Sequence, residues 1–204
     1  MDIVVIAIVV AIAALVLRRQ QERQRIALLA HYLGPFQIEK LMATLSEGYQ
    51  RALGESDPQR QQQVWTHLLP SEQALCDQFE RFAVRFASAD AQSTRVSLLA
   101  WSFPWAHRLF PAASFDARKA MAIHAQGIRR AVEADPSLPA KHRAFTLSAE
   151  MFLMQHTCHW LCKSKAVASA RMWMRHKTHY AQLLGAVTPD TARAYRALLE
   201  LHDR

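Results

Sequence analysis

The densest set of ligand- and nucleophile-type side chains in the chain is His156, Cys158, His159 and Cys162. On a helix, Cys158 and Cys162 are four apart and His159 and Cys162 three apart, so these three share one arc of about 100°. Imidazole and thiolate are zinc ligands, and spacings of i,i+3 and i,i+4 let one helix supply two or three of them. A fourth ligand would come from His176 or His179. Structural zinc sites, however, usually set close-spaced cysteines on a turn, and C-x-x-C, H-E-x-x-H and C-x-x-C-H are all absent. The competing reading is small and polar residues packed in a crowded core. We therefore expect no cofactor. Zinc or iron on Cys158, His159, Cys162 and His176, or a thiol nucleophile at Cys158 or Cys162, is kept as the alternative. A di-iron carboxylate bundle fails because Glu150 has no histidine three residues on. Walker-type, G-x-S-x-G and Gly-rich phosphate loops are likewise missing. The balance leans away from an enzyme.

A second constellation is cationic. Residues 141–180 carry 7 Lys and Arg against 1 acidic residue, whereas residues 1–140 carry 15 against 13. Arg171 and Arg175 fall on one helical face, with Lys163, Lys165 and Lys177 close in sequence. Met172, Trp173, His176, Tyr180, Leu183 and Leu184 make the adjoining apolar arc. Such a face can be solvated surface, or it can meet anionic lipid, an acidic partner or nucleic acid phosphates. We rank partner or lipid above nucleic acid, because a membrane tether restricts access to the latter.

The His156–Cys162 set belongs to a helix-forming stretch, Ala144 to Cys162. Phe145, Ala149, Leu153 and Trp160 fall on one side, and Leu147, Met151, Met154, Cys158 and Leu161 on the other. A helix apolar on both sides is normally enclosed by other helices. It is a poor membrane span, because Glu150, Gln155, His156 and His159 offset its leucines and phenylalanines. With 51% hydrophobic and 21% charged residues, only 5 Gly, and no alternating strand pattern, the chain reads as all-α around a central helix at about 144–162. Three cysteines are too few for a disulfide scaffold and fit a reducing compartment.

Ile3 to Leu17 is an unbroken apolar run. Fifteen residues rise roughly 22 Å, short of the ~30 Å hydrocarbon core, and snorkelling by Arg18 and Arg19 extends the reach. A signal peptide needs a basic n-region and a cleavage site, but Asp2 precedes the run and arginines follow it. The positive-inside rule then keeps Arg18, Arg19, Arg23 and Arg25 cytoplasmic, with the N-terminus outside. The expected organisation is a transmembrane anchor at 1–17, a helical juxtamembrane stalk at 18–33 and a cytoplasmic helical domain at 36–204. An apolar helix docked into a partner protein is the other option. The anchor is expected in a bacterial inner membrane, and the excess of Arg over Lys, 19 to 6, suggests a GC-rich genome as compositional evidence.

Further along, Gly34-Pro35 breaks the chain before a helix from Ile38 to Leu53. Asp57-Pro58 starts a short helix to Leu69, Pro70 interrupts, and Ser71 caps another helix carrying Leu75, Phe79, Phe82 and Phe86. A helix is expected over Ala91–Phe103. The aromatic connection Trp101–Pro111 follows, as a core corner or a membrane-interface segment formed by Trp101, Phe103, Trp105 and Phe110. Ser114 is expected to cap a helix from Phe115 to about Ala134. The central helix is then expected to run to about Gly185, with a kink near Lys163–Lys165. A last helix starts at Thr188-Pro189-Asp190-Thr191 and ends near His202. Residues 124–136 (HAQGIRRAVEADP) look like the second helix of a tetratricopeptide repeat, through Ile128, Ala131 and Pro136. No copy recurs at 34 residues and the first-helix signature is absent, so the chain is not assigned to that family.

Together these features predict a single-pass inner-membrane protein with a cytoplasmic helical adaptor or structural body. Its contacts would be the membrane through residues 3–17, and another protein of a membrane-associated assembly, or anionic lipid, through Arg171, Arg175, Lys163, Lys165 and Lys177. The alternatives are the metal or thiol enzyme centred on Cys158, His159 and Cys162, and a membrane-tethered nucleic-acid binder.

Overall fold

A computed structural model describes residues 2–99, 106–135 and 137–200. Among the described residues the fold is all-α apart from one two-stranded ribbon. The helix does not end with the apolar run at Leu17. It continues as one helix, α1 (Asp2–Leu33), uninterrupted through the arginines because no Gly or Pro occurs before Gly34-Pro35. Its first turns are exposed, while Leu29 is buried against the body. This helix is long and apolar enough to cross a membrane.

α2 (Ile38–Gly54) buries Ile38, Leu45, Tyr49 and Ala52 as one stripe against α3 (Pro58–Phe86). Here the expectation of two short helices is corrected: α3 runs straight through Pro70. An interior proline costs about 3 kcal/mol. The cost is offset because Trp65 and Leu68 before it, and Leu75, Phe79 and Phe82 after it, form one continuous buried face. Only an unbroken helix keeps that face aligned with α2.

The expected helix over Ala91–Phe103 is also corrected. Asp90 accepts from the Ser93 amide at 2.7 Å and the Ser93 hydroxyl at 2.8 Å, which turns the chain into strand β1 (Arg95–Ser97). β1 pairs antiparallel with β2 (Ser114–Asp116), Val96 opposite Phe115. A short helix, α4 (Ala106–Leu109), and a 3-10 turn (Pro111–Ala113) lie between them. Trp101, Phe103 and Trp105 fall outside the described residues. Ser114 is not the cap of the next helix. Its hydroxyl donates to the Pro111 carbonyl at 2.7 Å, while the Asp116 carboxylate accepts the Arg118 amide and caps α5 (Ala117–Val132). Pro136, the last residue of the repeat-like match, also lies outside the described residues.

α6 (Ala140–Cys162) is the buried central helix, enclosed by α1, α2, α5 and the helices that follow it. Leu153 and Trp160 are buried as expected, and the Trp160 indole donates to the Ser97 carbonyl at 3.0 Å. Phe145 is the exception on that side, at 63% exposed. α6 does not continue to Gly185. It stops at Cys162, and the Ser164 hydroxyl accepts from the Val167 amide to start α7 (Lys165–His176). α7 ends where Lys177 adopts a left-handed conformation, φ 51°. α8 (Tyr180–Ala186) and α9 (Pro189–Glu200) complete the body. The residues beyond Glu200, where α9 was expected to finish, are outside the described set.

The one acidic residue of α6, Glu150, is fully buried and is used by α9. Its Oε1 accepts from the Thr188 amide at 2.9 Å and the Thr188 hydroxyl at 3.0 Å, at the helix N-terminus. A carboxylate there satisfies orphan amides and meets the positive end of the helix dipole. α5 passes so close that a Cβ on Gly127 would strike the Glu150 carboxylate and the Thr191 hydroxyl.

Candidate functional site

α1 and α6 are antiparallel and are tied by polar contacts at the end of α6. Arg25 donates to the Leu161 carbonyl at 3.1 Å and to the Arg95 carbonyl at 2.7 Å. One turn back along α1, Glu22 pairs with Lys163 at 3.6 Å and with Arg18 at 3.1 Å. The final carbonyls of α6 have no intrahelical partners, so a guanidinium there meets both a hydrogen-bonding need and the negative helix end.

Above this clamp the helices leave a cleft of about 280 Å³. Leu29 and Leu33 of α1, Met42 of α2, Phe82 of α3, and Met154 and Cys158 of α6 make its walls. Glu39, Lys163 and Arg171 also line it. A second depression of about 360 Å³ adjoins it, and the two share Gln155, His159 and Arg171. Arg175, Met174 and His176 line only the second.

Cys158, His159 and Cys162 do come together, on the wall of the apolar cleft. Cys158 packs its sulfur 3.8 Å from Met154 Sδ, and His159 Nδ1 lies 3.1 Å from Arg171 Nη1. Burial pushes the Cys158 thiol up, and pushes the Cys162 thiol up to about 11 despite Arg25 and Arg171 nearby. Burial, then Arg171 and Arg175, hold the His159 imidazole below its ordinary value. At neutral pH this leaves protonated thiols and a neutral imidazole. His176 stands apart from the thiols, its ring stacked 4.0 Å from that of Phe152. His156 faces away, 3.0 Å from the Ser169 hydroxyl. His179 stacks on Trp173 at 4.3 Å. Among the described residues no three His, Cys, Asp or Glu side chains converge as a metal-ligand group.

The five cations separate into two sets. Lys163 is paired with Glu22, and the Lys165 ammonium lies over the rings of Trp160 (5.1 Å) and Tyr180 (4.9 Å). Lys177 lies over Trp173 at 5.9 Å. Arg171 and Arg175 are exposed on α7, and among the described residues neither has a carboxylate within 4 Å. Trp173, expected in the apolar arc, is 45% exposed, and Met174 beside it is 67% exposed. The outer face of α7 is therefore cationic and apolar together, while Met172 turns inward.

Sequence reasoning did not find the cleft or the Arg25 clamp. The available signal was the spacing of Ile26, Leu29 and Leu33, an apolar stripe on a segment otherwise rich in charge. Comparison with known protein families, with curated proteins and with solved structures finds no match.

Proposed function

We propose that this chain is a single-pass inner-membrane protein whose helical body, on the cytoplasmic side, serves as an adaptor or structural subunit of a membrane-associated assembly. The observation that carries this reading is α1 itself: one helix whose apolar first half is exposed all round and whose second half is built into the body. An exposed apolar surface of that extent needs a lipid or protein cover. Four arginines directly after it set the orientation.

The body is held close to the membrane. Glu22 follows Arg18 by four residues, about 6 Å of helical rise. Lys163, paired to Glu22, is then within range of anionic headgroups, though its charge is already matched. Arg171 contacts His159, a further turn away from the membrane along α6. At physiological salt the field of the headgroups fades over about 8 Å. The unpaired Arg171 and Arg175, flanked by exposed Trp173 and Met174, therefore suit an acidic, partly apolar protein surface better than a bilayer. Trp and Arg are favoured anchors at such interfaces.

Two measurements test the reading. A reporter fused after Arg204 should behave as cytoplasmic, and periplasmic activity would overturn the orientation. The double variant Arg171→Glu/Arg175→Glu should keep the protein in the membrane fraction while reducing recovery of cross-linked partners. Should partner recovery, membrane extraction and salt sensitivity all stay unchanged, α7 presents ordinary solvated surface and the adaptor reading loses its contact.

A further inference from the structure

Beyond partner docking, we propose that the cleft between α1, α2, α3 and α6 binds the hydrocarbon chain of a free fatty acid, with the carboxylate at Arg171 and Arg175. The proposal stands on the way two unlike depressions meet. One is walled mainly by apolar side chains, Leu29, Leu33, Met42, Phe82, Met154 and Cys158, with Glu39 and the Glu22-paired Lys163 also in its lining. The other is edged by Arg171 and Arg175. They are joined at Gln155, His159 and Arg171, so an apolar slot opens onto a cationic seat with a histidine and an amide at the junction. An apolar body with a few polar groups at one end is the usual composition of a small-molecule site.

Size selects a single chain. The slot holds about 280 Å³ and the seat about 360 Å³, each near the lower end of ligand pockets, roughly 300 Å³. Two acyl chains of a phospholipid do not fit the slot. Charge selects an anion and its direction. Arg171 and Arg175 have no carboxylate partner among the described residues, whereas Glu39 on the α2 side of the slot disfavours a negative head there. The head therefore goes to α7 and the methyl end toward α2 and α3. A planar carboxylate suits the fork of a guanidinium. Arg171 now touches His159 Nδ1. A carboxylate arriving there replaces a contact between a cation and a neutral ring with an ion pair.

The supply of such a ligand is near. The Arg25 clamp holds this part of the body about 10 Å of helical rise past Arg18, so an amphiphile leaving the membrane surface has a short path. The cysteines take a plain role in this arrangement: protonated thiols are apolar wall material.

The test uses the full chain in nanodiscs of zwitterionic phospholipid, with a palmitic acid analogue carrying a diazirine near its methyl end. Irradiation should label cleft residues, Met42 and Met154 among them, and unlabelled palmitate should displace that label. Shorter fatty acids should compete about fourfold less well per methylene removed, the factor that corresponds to the transfer of one CH₂. Labelling of residues 3–17 by probe dissolved in the bilayer serves as an internal reference. Arg171→Glu/Arg175→Glu, on an exposed face, should cut cleft labelling at least tenfold and leave the reference unchanged. A second variant, Met154→Trp, should abolish cleft labelling by filling the slot, with cooperative unfolding as the check on its fold. Labelling confined to residues 3–17 overturns the proposal. So does cleft labelling that resists the double charge reversal, or that zwitterionic lysophosphatidylcholine displaces as well as palmitate does. Either of the last two results would leave an apolar gap that accepts any chain. Orientation and partner recovery are measured separately, so this site and the adaptor reading can fail independently.

Discussion

Two buried histidines make the body acid-labile by an amount that can be worked out. His124 is fully buried, with Nε2 2.8 Å from the Thr157 hydroxyl, which in turn lies 2.8 Å from the Tyr195 hydroxyl. Burial, reinforced by the charge His156 would carry, lowers its pKa to about 3. Burial, then Lys165 and His159, lowers that of His156 to about 4. An unfolded-state imidazole titrates near 6.5. Both native values are depressed, so the native state binds fewer protons. The stabilisation is complete above about pH 6.5 and is lost as pH falls toward 4 for His156 and 3 for His124. Integrated from pH 7 to pH 5, each histidine loses about 2 kcal/mol, together about 4 kcal/mol. For a chain of this size that lowers Tm by roughly 8–16 °C. Burial lowers His159 and His176 as well, adding loss of the same sign. Glu150 acts in the opposite sense: burial raises its pKa, so protonation there favours the native state as pH falls. The assay is urea unfolding of the full-length protein in detergent micelles, read by tryptophan fluorescence at pH 7 and pH 5. The double variant His124→Gln/His156→Gln should reduce the difference between the two pH values to under about 1 kcal/mol. A wild-type loss under about 1 kcal/mol, or an undiminished slope in the double variant, would refute the reasoning.

Three mutations probe the packing. Leu153→Ala, at the centre of α6, should cost about 2–5 kcal/mol in denaturant unfolding, and a cost under about 0.5 would mean that α6 is peripheral. Gly127→Ala drives a methyl into the Glu150 carboxylate and the Thr191 hydroxyl. A loss of about 1–3 kcal/mol is expected, and a gain in Tm would show that α5 can move away from α6. Arg25→Leu leaves the Leu161 and Arg95 carbonyls without their charged donor. About 1–3 kcal/mol should be lost, with faster hydrogen exchange in the last turn of α6 and unchanged exchange in α3.

The central helix was legible because its signal is local. Apolar residues on both faces of one segment require enclosure whatever the partners are, and α6 is buried on both faces from Leu147 to Cys162. Pro70 shows where a local rule gives way. A proline usually ends a helix, yet the stripe from Trp65 to Phe82 must stay in phase to meet α2, and that requirement wins. The β1–β2 ribbon was hidden for the opposite reason: strands of three residues are too short to show an alternation, and their pairing depends on a turn at Asp90. Glu150 was visible as the lone acidic residue of its helix, but its partner Thr188 lies 38 positions on.

The candidate site illustrates the same division on a larger scale. Cys158, His159 and Cys162 could be placed on one arc by counting residues, and they do share one wall. What that wall faces could not be counted, because the opposite walls come from α1, α2 and α3. Arg25 makes the point most directly. In sequence it is one of four arginines on which the expected topology rests, while in the fold its guanidinium reaches carbonyls 136 and 70 positions away. Carbonyl acceptors carry no residue identity, so no pattern of letters announces such a bond. Ile26, Leu29 and Leu33 did carry information: a helical stripe on a supposed stalk has no purpose unless something covers it. Leu29 is covered by the body, and Ile26 remains 45% exposed at the cleft. The apolar N-terminal run and the candidate site are thus built from one continuous element, and the turns of α1 that carry the body also form a wall of the cleft.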